Sequence, residues 1–493
     1  MEHVPERSDH EEEEAAQLRR DLEEARRRAE EAERLVAELD RQAKRLEREK
    51  ARLASEVEDL RKQLFEAQAA QKRQAAPFSK GAPKNQPKRP GRKSGKAYGK
   101  RSRRPTPAVV DERHQAPLPG CCPDPNCAGR VVHERTEHQY QTEIPEPKPI
   151  VREFEIHIGR CEGCGSRIQG RHELQTSDAL GAAACQLGAN AVATAAYLNK
   201  EMGLSYEKVC DLYGDLLGIE ITRGGLVQAM HRAAAKLGPA HMELIDDLQA
   251  NPVVYADETG ARINGRSAWN WVFRGEDTTV YKQCESRGFD VIEEVLGADF
   301  SGFVGHDGWH AYDKLEDAIH QQCLGHFKVR ARRLMDNLPG RAQVFPRDVL
   351  TLFEDAIALG KRYRAEKVSR HGLAVATGRL EKRLDTLLAR NPTNGENARL
   401  RKHMAKHQEE LFTFLHYPDF KIEPVNWPGE QGIRWAVIFR KNSAGHRSPR
   451  GSETQDRLKS FFRTAKQRAV DGVERLAAVL RSPVPVLRPI DPT

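Results

Sequence analysis

Three acidic residues, each in a distinctive local pattern, carry the chemistry open to this chain. Asp257 lies in Val253-Val-Tyr-Ala-Asp-Glu-Thr-Gly260, Asp307 in Phe303-Val-Gly-His-Asp-Gly-Trp309, and Glu430 in Asn426-Trp-Pro-Gly-Glu-Gln431. In the first two, an apolar run of the kind found in a buried strand stops at an aspartate, which would fix a carboxylate at the rim of a sheet. Such oxygen ligands suit Mg2+ or Mn2+, and a pair of these ions can stabilise both the attacking and the leaving oxygen of a phosphoryl transfer. An aspartate can also simply end a strand, since Asp and Gly are common turn formers. Glu258 should face the opposite side of its strand from Asp257 and stay out of the cluster. His306, His310, Cys323 and His326 lie nearby, but their spacing is no recognised zinc set. His326 reads instead as a phosphate contact or a support for the acids.

The elements that must position these residues are short β-rich runs: Val253 to Ala256, Ala268 to Phe273, Thr278 to Tyr281, Phe303 to Gly305 and Gln321 to Leu324. The first three, divided by Gly-containing turns, predict an antiparallel meander, and helix-compatible stretches at Phe289–Gly297 and Ala311–Ile319 precede the later strands. Residues 345–418 are mostly charged helix and read as an insertion before Glu430, within an α/β catalytic region of 249–470. Upstream, 173–248 is rich in Ala and Leu and predicts a helix-turn-helix-like domain, with Thr222 capping a helix that begins at Arg223. Two ordinary packed helices would give the same pattern. Arg330, Arg332 and Arg333 fit phosphate binding beside the acids, or a solvated helix face. Residues 471–493 read as a C-terminal tail, disordered after Arg481.

Residues 11–70 carry a heptad repeat with Leu18, Leu39, Leu46, Leu53 and Leu60 at one seam position and Leu22, Val36, Val57 and Leu64 at the other. This predicts a coiled coil, and so a homo-oligomer; Lys50 at a seam position would fix register or strand number. A basic linker spans 71–110, with thirteen Lys or Arg and no acid in 72–104. Arg92, Lys93, Lys100 and Arg101 are its candidate DNA contacts, since each neutralised phosphate adds affinity with little sequence information.

Cysteines cluster in 111–172 as Gly120-Cys-Cys-Pro-Asp-Pro-Asn-Cys127 and Arg160-Cys-Glu-Gly-Cys-Gly165. Cys122, Cys127, Cys161 and Cys164 predict a structural Zn2+ in a zinc-ribbon domain, with Cys121 competing with Cys122 for the ion. Cys185, Cys210, Cys284 and Cys323 stand alone among the nine cysteines and read as reduced. With 493 residues, a net charge of +8 and a mean hydropathy of −0.71, the chain is multidomain and largely solvated. No apolar run reaches membrane-spanning length and the N-terminus is acidic, so a soluble cytoplasmic protein is expected.

Taken in this order, coiled coil, ribbon and acids, the chain resembles the insertion sequence 66 transposase family over nearly its whole length. Ala76-Pro-Phe-Ser-Lys-Gly81 and Gly91-Arg-Lys-Ser94 are similar to its basic segment, and Asp257-Glu-Thr-Gly260 with Trp269-Asn-Trp271 to its first catalytic strand and hairpin. Cys323-Leu-Gly-His-Phe-Lys-Val-Arg330 resembles its Cys-x-x-His strand end and Arg-rich helix. Ile438-Phe-Arg-Lys-Asn442 and Gly451-Ser-Glu-Thr-Gln455 to Ser460 resemble the stretch after its catalytic glutamate. The resemblance implies a ribonuclease-H-like domain with Asp257, Asp307 and Glu430 as a DDE triad. It also implies two Mg2+ ions, DNA partners at the element's terminal repeats and target in the nucleoid, and accessory proteins encoded by the element. Gln431 replaces the arginine that follows the family's glutamate, with Glu423 and Glu453 as alternative third acids. A decayed copy or a DNA-binding regulator without chemistry is the competing reading, and a coiled-coil scaffold the third.

Overall fold

The computed structural model describes residues 7–71, 106–181, 186–443 and 445–492. Arg92, Lys93, Lys100 and Arg101, both family-like motifs of the basic segment, and Cys185 lie outside the described residues. The chain divides into two units, one holding residues 1–90 and the other nearly all the rest.

In the first unit, α1 (Arg7–Gln71) is one 65-residue helix, roughly 100 Å long at 1.5 Å per residue. Ala, Leu, Glu and Arg fill it without Gly or Pro, so propensity favours the helix throughout. The seam residues Leu18, Leu22, Val36, Leu39, Leu46, Leu53, Val57 and Leu60 are all exposed on the single chain.

In the second unit, β1 (Ile158–Arg160) and β2 (Arg167–Gln169) form an antiparallel hairpin. Four helices follow: α2 (Ala189–Lys200), α3 (Tyr206–Leu217), α4 (Arg223–Lys236) and α5 (Gly238–Gln249). Ser205 caps α3 through the Lys208 N–H, and Gly218 closes it in the left-handed region. Thr222 caps α4 by accepting from the Gly225 N–H, as its position before Arg223 predicts.

The sheet has five strands: β3 (Val253–Ile263), β4 (Arg266–Arg274), β5 (Thr279–Cys284), β6 (Phe303–His306) and β7 (Ile319–Gln322), with α6 (Phe289–Leu296) between β5 and β6. Their spatial order is β5-β4-β3-β6-β7; β3, β4 and β5 are antiparallel, while β6 and β7 run parallel to β3. The meander is therefore as the sequence predicts. Two details differ. Ala311–Ile319 holds only a single short turn, Tyr312–Lys314, and the last strand ends at Gln322 because a helix already begins at Leu324.

After β7 come α7 (Leu324–Asn337), α8 (Val344–Arg364), α9 (Arg370–Leu388), α10 (Gly395–Lys406) and the single turn α11 (Thr413–His416). Asn394 caps α10 after the break at Asn391 and Pro392, accepting from the Glu396 and Asn397 N–H groups. The chain then returns to the sheet in α12 (Trp427–Ser443) and α13 (Pro449–Gln467), and α14 (Gly472–Arg481) packs on α2.

One apolar cluster joins α2–α5, the sheet, α6, α13 and α14. The helices of 173–248 thus pack into the core of the sheet region rather than around one of their own. The C-terminal tail is corrected as well. Residues 472–481 are helical, Ile490 is buried, and Arg488 pairs with Glu243 and Asp247, because this segment covers apolar surface of α5 and α13.

Helix α13 also seals the outer edge of β5. The N–H groups of Thr279, Tyr281 and Gln283, alternate residues of that edge, donate to Thr464 Oγ1 (3.0 Å), Ser460 Oγ (2.9 Å) and Asp456 Oδ2 (2.9 Å). Two strand residues advance about 6.7 Å and four helix residues about 6 Å, so a side chain at every fourth position meets every second N–H. An edge strand otherwise open to pairing with another chain is closed from within.

Candidate active site

Asp257 lies within β3, and Asp307 directly follows β6, the parallel neighbour of β3. The parallel register pairs Val253 with Phe303, Val254 with Val304 and Tyr255 with Gly305. The last of these pairs lies two residues before each aspartate, on strands about 4.8 Å apart. Asp307 follows the end of β6, as its sequence predicts. Asp257 does not end its strand: β3 runs on to Ile263 in a hairpin with β4, and it is the shorter β6 that leaves Asp257 at the rim.

Each aspartate is held locally. Asp257 Oδ1 accepts from the Glu258 N–H (3.0 Å) and Asp307 Oδ1 from the Trp309 N–H (3.0 Å). Gly308, at φ +87°, makes the turn after Asp307, and a Cβ there would come within 2.7 Å of Gln322 Oε1. His306, fully buried, accepts the Gly308 N–H at Nδ1 and lies 2.9 Å from His320; burial pushes its pKa down to about 3 and keeps it neutral.

Glu430 lies in the first turn of α12 and is exposed. Asn426 Nδ2 donates to the Ala256 carbonyl (2.7 Å), tying the start of α12 to the strand one residue from Asp257. Farther along, a Cβ on Gly432 would meet Val272 at 2.9 Å, and Val272 is the β4 partner of Asp257. The helix therefore lies on the face of the sheet that Asp257 shares.

Burial, then the negative charges of Glu258 and Asp307, raise the Asp257 pKa to about 7. His326, in the first turn of α7, goes the other way: its hydrogen bond with Cys323, with the charges of Asp307 and Glu430 adding, raises it to about 9. One histidine thus feels both an aspartate and the glutamate, and also stabilises the charge on Asp257. Surplus negative charge in a half-buried oxygen-rich corner is what a divalent cation relieves, so the residues fit Mg2+ or Mn2+.

Among the described residues the tightest ligand group is not the three carboxylates. It is Cys323, His326 and Glu430, whose ligand atoms all lie within 4.8 Å of one another. The spacing of Cys323 and His326 alone could not disclose this, because the third member comes from a distant helix.

Glu258 is engaged elsewhere, as its strand parity predicts. Its buried carboxylate accepts from Arg287 (2.7 Å) and from Tyr312 (3.3 Å), and the Arg287 guanidinium is sandwiched between Trp269 and Trp309. The alternative acids are also occupied, Glu423 with Arg364 (2.5 Å) and Glu453 with Arg457. On α7, Arg332 pairs with Glu354 (3.1 Å), and burial lowers the pKa of Arg330. Arg333 is half-buried on the same helix.

The cysteine pairs occupy two small turns. Cys122 N–H donates to Gly129 O (2.9 Å) beside a bridge between Cys121 and Arg130, and Cys161 N–H donates to Ser166 O (2.9 Å) at the end of the β1–β2 hairpin. The Cys164 thiol, 3.2 Å from Ser166 Oγ, is lowered to about 7 by that contact and by Cys161. No three of these sulfurs lie within 4.8 Å of one another, so the four thiols predicted for zinc are not gathered into one set.

The model of the transposase IS66 family matches residues 184–454, more than half of the chain and all of the sheet and its acids. The chain belongs to the IS66 family of transposases. Membership implies a role in transposition, binding to DNA, cleavage and joining of DNA, and use of a divalent metal. No curated protein matches the chain. Among the described residues, no helix is long and apolar enough to cross a membrane.

Proposed function

We propose that the chain is an active DDE transposase in which Asp257, Asp307 and Glu430 hold two Mg2+ ions in a ribonuclease-H-like domain. The observation that carries this is the parallel pairing of β3 with β6, whose last pair lies two residues before each aspartate, with the Glu430 helix fastened beside Asp257 by Asn426. The strand order, three antiparallel strands followed by two parallel ones, supports the fold assignment. Bound there, the metal would lower the pKa of water for strand cleavage and activate a 3′-hydroxyl for joining. The three carboxylates act as ligands rather than proton carriers. His326, positively charged at neutral pH, supplies a contact for the scissile phosphate, and α7 offers Arg330, Arg332 and Arg333 toward the DNA backbone.

The same proposal takes α1 as a coiled coil that joins copies of the chain, the basic segment as a DNA contact, and residues 111–172 as a ribbon whose two cysteine turns close on Zn2+. It keeps 249–470 as the catalytic part, with the helices upstream and Gly472–Arg481 packed into the same core. A DNA-binding chain without chemistry is the second reading, favoured by Gln431 at the exposed start of α12.

Strand cleavage and joining on DNA bearing the element's terminal repeats tests the pair. Mg2+-dependent turnover that disappears in Asp257→Ala supports the transposase, and specific binding without turnover in the unaltered chain selects the regulator.

A further inference from the structure

Two helices begin at one buried sulfur. Cys323 continues the β7 ladder by a residue, its N–H donating to His306 O (2.9 Å), and α7 starts immediately after it. The Asn426 N–H, just before α12, donates to Cys323 Sγ (3.1 Å). His326 and Glu430 then occupy the first turns of the two helices, both exposed, over the buried thiol.

We propose that Cys323, His326 and Glu430 form a second cation site, for a borderline ion of the Zn2+ class, whose filling withdraws Glu430 from the aspartates. Sulfur and imidazole are poor ligands for Mg2+ and good ones for Zn2+, whereas Asp257 and Asp307 offer oxygen alone. Glu430 is thus common to two ligand sets of different softness. Tetrahedral zinc with one S, one N and one O ligand needs separations of roughly 3.5 Å, so a group already within 4.8 Å closes on the ion by small side-chain shifts. The exposed side of the site leaves the fourth position to water. Zinc binding stands on this geometry alone; inhibition by zinc rests on the transposase reading above.

The test uses the full-length chain. Zinc bound per chain is measured by equilibrium dialysis, and cadmium is titrated while its thiolate charge-transfer absorbance is followed, with Cys161→Ser as a control for the ribbon. Cys323→Ser is expected to lose one zinc per chain and part of the cadmium absorbance. Glu430→Gln and His326→Gln, each compared with the unaltered chain by thermal unfolding, are expected to weaken binding about tenfold or more. Micromolar Zn2+ should inhibit Mg2+-driven cleavage by the unaltered chain, with inhibition relieved in Cys323→Ser. Equal zinc stoichiometry and affinity in the unaltered, Cys323→Ser and His326→Gln chains overturns the site. Zinc inhibition undiminished in Cys323→Ser overturns its regulatory role. If Mg2+ never supports cleavage while Cys323-dependent binding persists, the catalytic reading fails and the cation site stands.

Discussion

Asn426 and Ala256 are joined by a 2.7 Å hydrogen bond from side chain to carbonyl, and through it the helix of Glu430 is fixed to the strand of Asp257. Asn426 is buried, so this bond is shielded from competing water. Asn426→Ala leaves a buried carbonyl unpaired, at an expected cost of about 1–3 kcal/mol. It should lower kcat for strand cleavage far more than it raises KM, since DNA contacts elsewhere persist. Equal loss in both constants would show that Asn426 serves only the fold.

Asp257→Asn and Asp307→Asn should each reduce cleavage about a thousandfold or more, the worth of several kcal/mol of metal stabilisation. Both side chains accept only local N–H bonds, which asparagine can keep, and Asp257→Asn also removes a charge that burial disfavours, so neither variant should unfold at a lower temperature. Retained activity in either variant would remove it from the metal cluster.

The seal on β5 makes a stability prediction. Ser460→Ala and Thr464→Val each strand one buried N–H of the edge strand, and each should cost about 1–3 kcal/mol in urea unfolding. The double variant should also associate with itself more readily, which light scattering would detect. Additive losses near zero would mean that water replaces the missing acceptors.

His241 on α5 gives the fold an acid sensitivity. Burial first, with Arg457 and Lys282 nearby, lowers its pKa from 6.5 to about 4. The folded state therefore binds fewer protons than the unfolded chain between those values. Stability is full above about pH 6.5 and falls as pH drops toward 4, by on the order of 1 kcal/mol between pH 7 and 5.5. Urea midpoints should show this slope, and His241→Gln should flatten it; an unchanged slope assigns the effect to other groups.

Helix α1 exposes the seam residues Leu18, Leu22, Leu39, Leu46, Leu53 and Leu60 on the single chain. Leu39→Arg with Leu46→Arg should convert an oligomer to a monomer in light scattering at micromolar concentration. A wild-type chain that is already monomeric there refutes the coiled coil.

Much of this architecture is legible in local pattern. The long helix Arg7–Gln71, the meander, the Thr222 cap and the strands that lead to Asp257 and Asp307 each depend on residues within one or two turns of each other, where side-chain periodicity speaks directly. What local pattern misses depends on distance along the chain. The apolar run that stops at Asp257 predicts a strand end there, but pairing with β4 carries β3 onward through polar residues. The polar face of α13 has no meaning until β5 lies beside it, and Arg488 and Ile490 look like a loose tail until α5 is their neighbour. The union of Cys323 and His326 with Glu430 needs the helical insertion to bring the chain back to the sheet.

The seal of β5 by Asp456, Ser460 and Thr464 also bears on synthesis. A ribosome delivers β5 well before α13, so the growing polypeptide carries a bare strand margin until nearly all of it has emerged. A reading frame cut short before codon 456 would leave that margin permanently bare, and its product would aggregate rather than compete with intact copies for DNA.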